Sequence, residues 1–197
     1  MGILKSINYF GFLITVIMLA LLFGLATEIY PATKEYTPTV HTTIYIDRSF
    51  DDFEQEIIIS SAIKWEEATK HLVKYDIVQM PTHDKIDPKN SLFIVKVSPD
   101  NPEVIILDGV KRNTTLAYYT EKWAAPTISV IALRLNEDIY EGVILHEMGH
   151  ALGLDHIEGP AGYGTLMYPY ASMSSDHITH KDLEQFCNLH HCDANKL

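Results

Sequence analysis

The segment His146-Glu147-Met148-Gly149-His150-Ala151-Leu152-Gly153-Leu154-Asp155-His156 constrains this chain more than any other stretch. Residues four apart share one face of a helix, so His146 and His150 can address one ion. Gly153 can take φ > 0, end that helix and turn the chain back. His156 then comes within reach as a third nitrogen donor. The spacing is that of the extended H-E-x-x-H-x-x-G-x-x-H zinc-binding signature. Three protein ligands leave a fourth position open, the arrangement of catalytic rather than closed structural zinc. Glu147 follows the first ligand and lies beside that open position, placed to take a proton from a water there. The bland alternative is an amphipathic helix and turn whose histidines are satisfied by hydrogen bonds. It leaves Glu147 and Gly153 to accident.

A chain of 197 residues has room for one domain plus a tail or anchor. With 47% hydrophobic and 21% charged residues the composition is globular. The net charge of −11, without a run of Lys or Arg, argues against a nucleic-acid partner, which would draw on clustered positive charge. The acidity reads as solubility.

The N-terminus is different. No charged residue occurs from Ser6 to Thr27, and the apolar stretch Ile7–Ala26 has 20 residues, the length of a helix that spans a bilayer. Lys5 before it puts the N-terminus in the cytoplasm and the remainder outside. A cleaved signal peptide is the rival reading, since Gly24 and Ala26 are the small residues that signal peptidase requires. Residues 1–26 are therefore read as a signal anchor or signal peptide. Thr27–Pro38, polar with two prolines, is a linker, and residues 39–197 form the domain. The protein is expected to be membrane-anchored with that domain outside the cytoplasm, or secreted. In that setting Cys187 and Cys192, the only cysteines, are expected to form a local disulfide. Metal binding with His190 and His191 between them is the alternative.

Val40–Asp47 alternates and reads as a strand. Asp51 or Asp52 can cap a helix running to about Lys70, with an apolar stripe of Phe53, Ile57, Trp65 and Leu72 beside Ile58, Ala62 and Thr69. Trp65 is read as core. Strand-like runs follow at Tyr75–Gln79, Leu92–Val97, Thr115–Tyr119 and Ile128–Leu135, separated by turn-rich pieces. The ligand helix spans Glu137 to about Leu152, and a last helix starts near Thr179, which with Asp182 suggests a capping box. The order predicts an α+β domain: a mixed twisted sheet with an active-site helix beneath it and a C-terminal helix, preceded by the N-terminal transmembrane or signal helix.

Past the third histidine comes Thr165-Leu166-Met167-Tyr168-Pro169-Tyr170. With it the chain resembles the metzincins, zinc endopeptidases whose long signature is followed by a methionine turn. Among these it is most similar to the matrixins, the matrix-metalloproteinase-like peptidases of the M10 type. The resemblance covers about Val40–Leu189. It implies one catalytic Zn2+ on His146, His150 and His156, with Glu147 as general base and then acid. It further implies Met167 as the hydrophobic base under the metal, supported with Gly153, and Asp182 holding the methionine turn. The substrate would be a protein or peptide bound in extended form along an edge strand, for which Thr115–Thr120 is the candidate. Tyr168 and Tyr170 are candidates for steadying the reacting carbonyl. A monomer is expected.

The chain also departs from the pattern. Ile157 stands where matrixins carry Ser or Thr. Pro169-Tyr170 is one residue shorter than the family's Pro-x-Tyr wall. No His/Asp-rich loop precedes Thr127, so no second structural zinc is expected. With the first cysteine at Cys187, no cysteine-switch is expected either. Asp100, Asn101, Glu103 and Asp108 could hold Ca2+, but nothing in the sequence supports it beyond an acidic loop. His41, His71 and His83 read as surface or strand-end residues, and His177 and His180 flank the last helix, from which either could approach the cleft.

Overall fold

The computed structural model describes residues 40–80, 90–102, 104, 116–121, 125–131, 137–170 and 174–197. Five strands, β1 (Val40–Ile46), β2 (Val73–Gln79), β3 (Ser91–Lys96), β4 (Ala117–Thr120) and β5 (Thr127–Val130), form one sheet in the order β2-β1-β3-β5-β4. The pairs β1–β2, β1–β3 and β3–β5 are parallel, and β4 runs antiparallel to β5 at the edge. Among the described residues three α-helices of full length accompany them: α1 (Asp52–Ala68), α2 (Glu137–Ala151) and α3 (His180–His190). The domain is therefore α+β with a mixed sheet.

Parallel neighbours need a crossover, and α1 supplies it between β1 and β2. The helix begins in a capping box: the Asp51 carboxylate accepts from the Glu54 amide at 2.9 Å, and Glu54 accepts from the Asp51 amide at 2.8 Å. In β1 the inward set includes Ile44 and Ile46, both buried. They join Ile94, Ile128, Ile58, Trp65, Met148 and Leu145 in one core between the sheet and helices α1 and α2. On the sheet, the paired residues Tyr45 and Phe93 stack with centroids 5.3 Å apart.

Most strand expectations match within two residues. For α1 the phase needs correction. The buried face is Ile58, Ser61, Ala62 and Trp65, whereas Phe53 is 49% exposed and Leu72 is buried beyond the helix end. The cap at Asp51 fixes the start, and from there Phe53 falls on the outer side. Residues 132–135, expected to continue the last strand, lie outside the described residues, as do His83, Glu103 and Asp108. So does the N-terminal apolar stretch. Among the described residues no helix is long and apolar enough to cross a membrane.

Trp65 joins the fold to the site. It is fully buried, and its Nε1 donates to the carbonyl of Leu145 at 3.1 Å, one residue before His146, the first histidine of the motif. Trp65→Phe should remove that hydrogen bond and leave a gap, costing about 2–4 kcal/mol of unfolding free energy. Urea denaturation measures this, and a loss below about 1 kcal/mol would mean the contact contributes little.

Candidate metal centre

His146 and His150 lie one turn apart on α2, and the chain after it brings back His156. The turn depends on Gly153, whose φ is 90°. The Nε2 atom of His156 is 3.1 Å from that of His146 and 3.1 Å from that of His150. Among the described residues these three form the one group able to hold a metal ion. None of the other described histidines joins them. His41 pairs with Asp76 at 2.8 Å on the surface, His177 with Asp176, and His180 with Glu184.

The donor chemistry fits zinc. The Nδ1 of His146 donates to the Leu166 carbonyl at 2.7 Å, and the Nδ1 of His150 to the Leu154 carbonyl at 2.7 Å. A carbonyl can only accept, so the protons sit on Nδ1 and both Nε2 atoms present lone pairs. Tetrahedral ligands about 2.0–2.1 Å from zinc stand about 3.3 Å from one another, close to the separations seen. Burial pushes the His146 imidazole down to about 4, against a pull upward from the Leu166 carbonyl, and lowers His150 as well. Both are therefore neutral at physiological pH, the state that binds a metal.

Glu147 lies on the flank of α2 that faces β4. It is 7% exposed, and burial pushes its carboxyl up to about 8, with a backbone hydrogen bond from Tyr119 opposing. It thus sits between the ligand helix and the edge strand, the segment expected to receive a peptide.

Met167 is fully buried. Its backbone carbonyl accepts from the Ile157 amide at 2.9 Å, tying the methionine turn to the residue after the third histidine. A Cβ on Gly149 would come within 2.5 Å of the Met167 sulfur, so glycine in mid-helix lets the methionine reach the helix backbone. Sequence reading passed over Gly149, although a helix-interior glycine carries a local cost and signals close approach. Gly162 is stricter: a Cβ there would fall 1.7 Å from the Ile157 carbonyl oxygen. Ile157 packs against the core, which accounts for an apolar residue at that position.

Asp182, fully buried at the start of α3, accepts from the amides of Leu166 at 3.1 Å, Met167 at 3.0 Å and Thr179 at 2.8 Å, and from the Thr179 hydroxyl at 2.6 Å. It caps α3 and holds the methionine turn together. Tyr168 is buried against Tyr163, with centroids 5.0 Å apart, while Tyr170 is 60% exposed. Cys187 and Cys192 are joined as a disulfide, so their sulfurs are not metal ligands.

The family pattern for matrixin peptidases (Peptidase_M10) matches residues 50–191. The chain belongs to the matrixin family. Its matrixin domain is accordingly a zinc metallopeptidase domain, and the histidine triad is the group within it that could bind the metal. Among solved structures, high choriolytic enzyme 1, a hatching-enzyme zinc protease of the medaka fish Oryzias latipes, superposes with a TM-score of 0.48 at 12% identity, over 83% of this chain and 98% of that one. A zinc-dependent peptidase of Methanocorpusculum labreanum superposes with a TM-score of 0.40 at 13% identity, over 74% and 99% respectively. No curated protein sequence matches the chain.

The buried Glu147 gives the metal-free matrixin domain a pH signature. Its folded-state pKa of about 8 lies above the ordinary 4.5, so the folded chain keeps a proton that the unfolded chain has lost. Stability therefore falls as pH rises from about 4.5 to about 8. Glu147→Gln removes the penalty. The metal-free variant should gain on the metal-free wild type across that window, by at most about 1.4 kcal/mol per pH unit, and the gap should level off above it. The lowered histidines act below their ordinary 6.5 in both chains and cancel. Unfolding in a chelator over a pH series measures the gap, and a pH-independent gap would contradict the burial argument.

Proposed function

We propose that the matrixin domain is a zinc-dependent endopeptidase, with His146, His150 and His156 holding one zinc and Glu147 moving the proton. The observation that carries this reading is the convergence of three imidazole nitrogens, two of them tautomer-locked, beside a buried carboxyl. Bound zinc supplies Lewis acidity, which lowers the pKa of water and polarises a carbonyl. Glu147 accepts the proton of the attacking water and delivers it to the leaving amine nitrogen. A carboxyl raised toward neutrality by burial suits both transfers. Met167 and Gly153 support the ligands from below and from the turn.

Strand β4 is the edge of the sheet, and an extended peptide can add to it by main-chain hydrogen bonds. That would lay the scissile bond along the strand whose Tyr119 backbone contacts Glu147. We take the enzyme to act as a monomer outside the cytoplasm, anchored through residues 1–26 or secreted after their removal. The pattern of Ile157 and Pro169-Tyr170 leaves the side-chain preference to be found by experiment.

A second reading is an inactive zinc- or peptide-binding module on the same fold. The intact Glu147 speaks against it. Profiling the full chain on a peptide library with and without chelator separates the two. We expect internal cleavage that chelation stops. Glu147→Gln should lower kcat by at least about a thousandfold, the upper part of the range for general acid–base catalysis, with zinc retained. Zinc-loaded wild type that cleaves nothing would leave the binding module as the surviving reading.

A further inference from the structure

Helix α2 ends in a turn whose backbone is nearly all accounted for. The Gly153 amide donates to the His150 carbonyl at 2.9 Å and the Leu154 amide to the Gly149 carbonyl at 3.0 Å, the paired bonds of a Schellman cap. That pattern leaves the Leu152 carbonyl outside it, on a residue only 6% exposed. A buried carbonyl needs a donor. The donor is His190 on α3, whose Nε2 lies 3.0 Å away. Since a carbonyl only accepts, that nitrogen carries a proton.

His190 is itself fixed on two sides. Its ring lies against Phe186, a fully buried core residue, with centroids 4.3 Å apart and planes inclined by 31°. The Cys187–Cys192 disulfide closes the backbone around it. Inside that loop His191 adopts φ 56°, and the Cys192 amide returns to the Cys187 carbonyl at 3.1 Å. Leu189, the residue before His190, lies over Gly153, with a methyl 3.7 Å from where a Cβ would be. The end of α3 therefore covers the turn at Leu152 and Gly153. Two residues past Leu152, the Leu154 carbonyl orients His150, and two further on stands His156.

We propose that His190 is a positioning residue for the metal centre. By holding the Leu152 carbonyl it fixes the turn that sets both His150 and His156, and the Cys187–Cys192 disulfide keeps His190 in place. The role rests on the zinc reading of the triad. It gives the exported chain's disulfide a task at the active site that its short loop would not provide through chain entropy alone.

The test is zinc affinity, measured by competition with a chromophoric chelator on full-length chain whose metal-free fold is checked by circular dichroism. His190→Phe keeps the ring contact and removes the donor. It should weaken zinc binding about tenfold, as loss of outer-sphere support does. His190→Gln, which can still donate, should restore most of the affinity. C187A/C192A should weaken binding in the same direction, and adding His190→Phe to it should cost little more, since both act through one contact. Substitution replaces chemical reduction because thiols themselves bind zinc. If His190→Phe does not fold, the glutamine and double-alanine variants carry the comparison. Variants that lower the melting temperature of the metal-free chain yet leave zinc affinity within about twofold, inside the scatter of unrelated surface changes, would overturn the proposal. Wild type that binds no zinc would instead remove the proposed function, and this inference with it.

Discussion

Two backbone carbonyls govern the centre of this molecule. Those of Leu154 and Leu166 take the Nδ1 protons of His150 and His146, and in doing so decide that Nε2 faces inward as a lone pair. Without them each ring could present either tautomer, and three converging nitrogens would not be three ligands. The carbonyls come from different places. One belongs to the turn that ends the ligand helix, the other to the methionine turn. Both turns must therefore be correct before the site exists, which explains why so much of the surrounding structure serves to hold them. Gly153 permits the first, Asp182 gathers the amides of the second, and the Ile157–Met167 hydrogen bond ties the two.

The arrangement accepts local costs near the site. Gly149 weakens the helix interior so that Met167 can press against it. Glu147 is buried with its carboxyl raised to about 8, and His191 sits in the left-handed region that glycine favours. Each breaks a rule that sequence preference alone would keep, and each borders the ligand helix or the helix that braces it. Such departures collect where a fold serves chemistry. The core of Ile44, Ile94, Ile128 and Trp65 under the sheet is ordinary packing and supplies the rigidity that tolerates them.

The strands and the ligand motif were legible in the sequence because each rests on a short-range signal. Alternation marks β1, spacing marks His146 and His150, and a glycine marks the turn toward His156. The cap of α3 could be read for the same reason, as Thr179 and Asp182 are three apart. What could not be read depends on contacts distant in sequence. The outer position of Phe53 follows from how α1 lies on the sheet. The need for Gly149 follows from Met167, 18 residues later. The His190–Leu152 contact joins residues 38 apart, and the disulfide, although expected, gave no hint that it braces the metal turn. Tyr119 against Glu147 likewise depends on where β4 pairs in the sheet.

Membership of the matrixin family is in keeping with the histidine triad and the methionine turn, while Ile157 and Pro169-Tyr170 are the positions at which the sequence reads as departing from the family's pattern. The account as a whole stands on the claim that the three histidines hold one zinc ion. Elemental mass spectrometry on purified full-length chain, wild type beside His156→Ala, tests it most directly. One zinc per wild-type chain, lost when the third nitrogen is removed, is the predicted result. Wild type without stoichiometric zinc, or zinc retained in full by the variant, would contradict it.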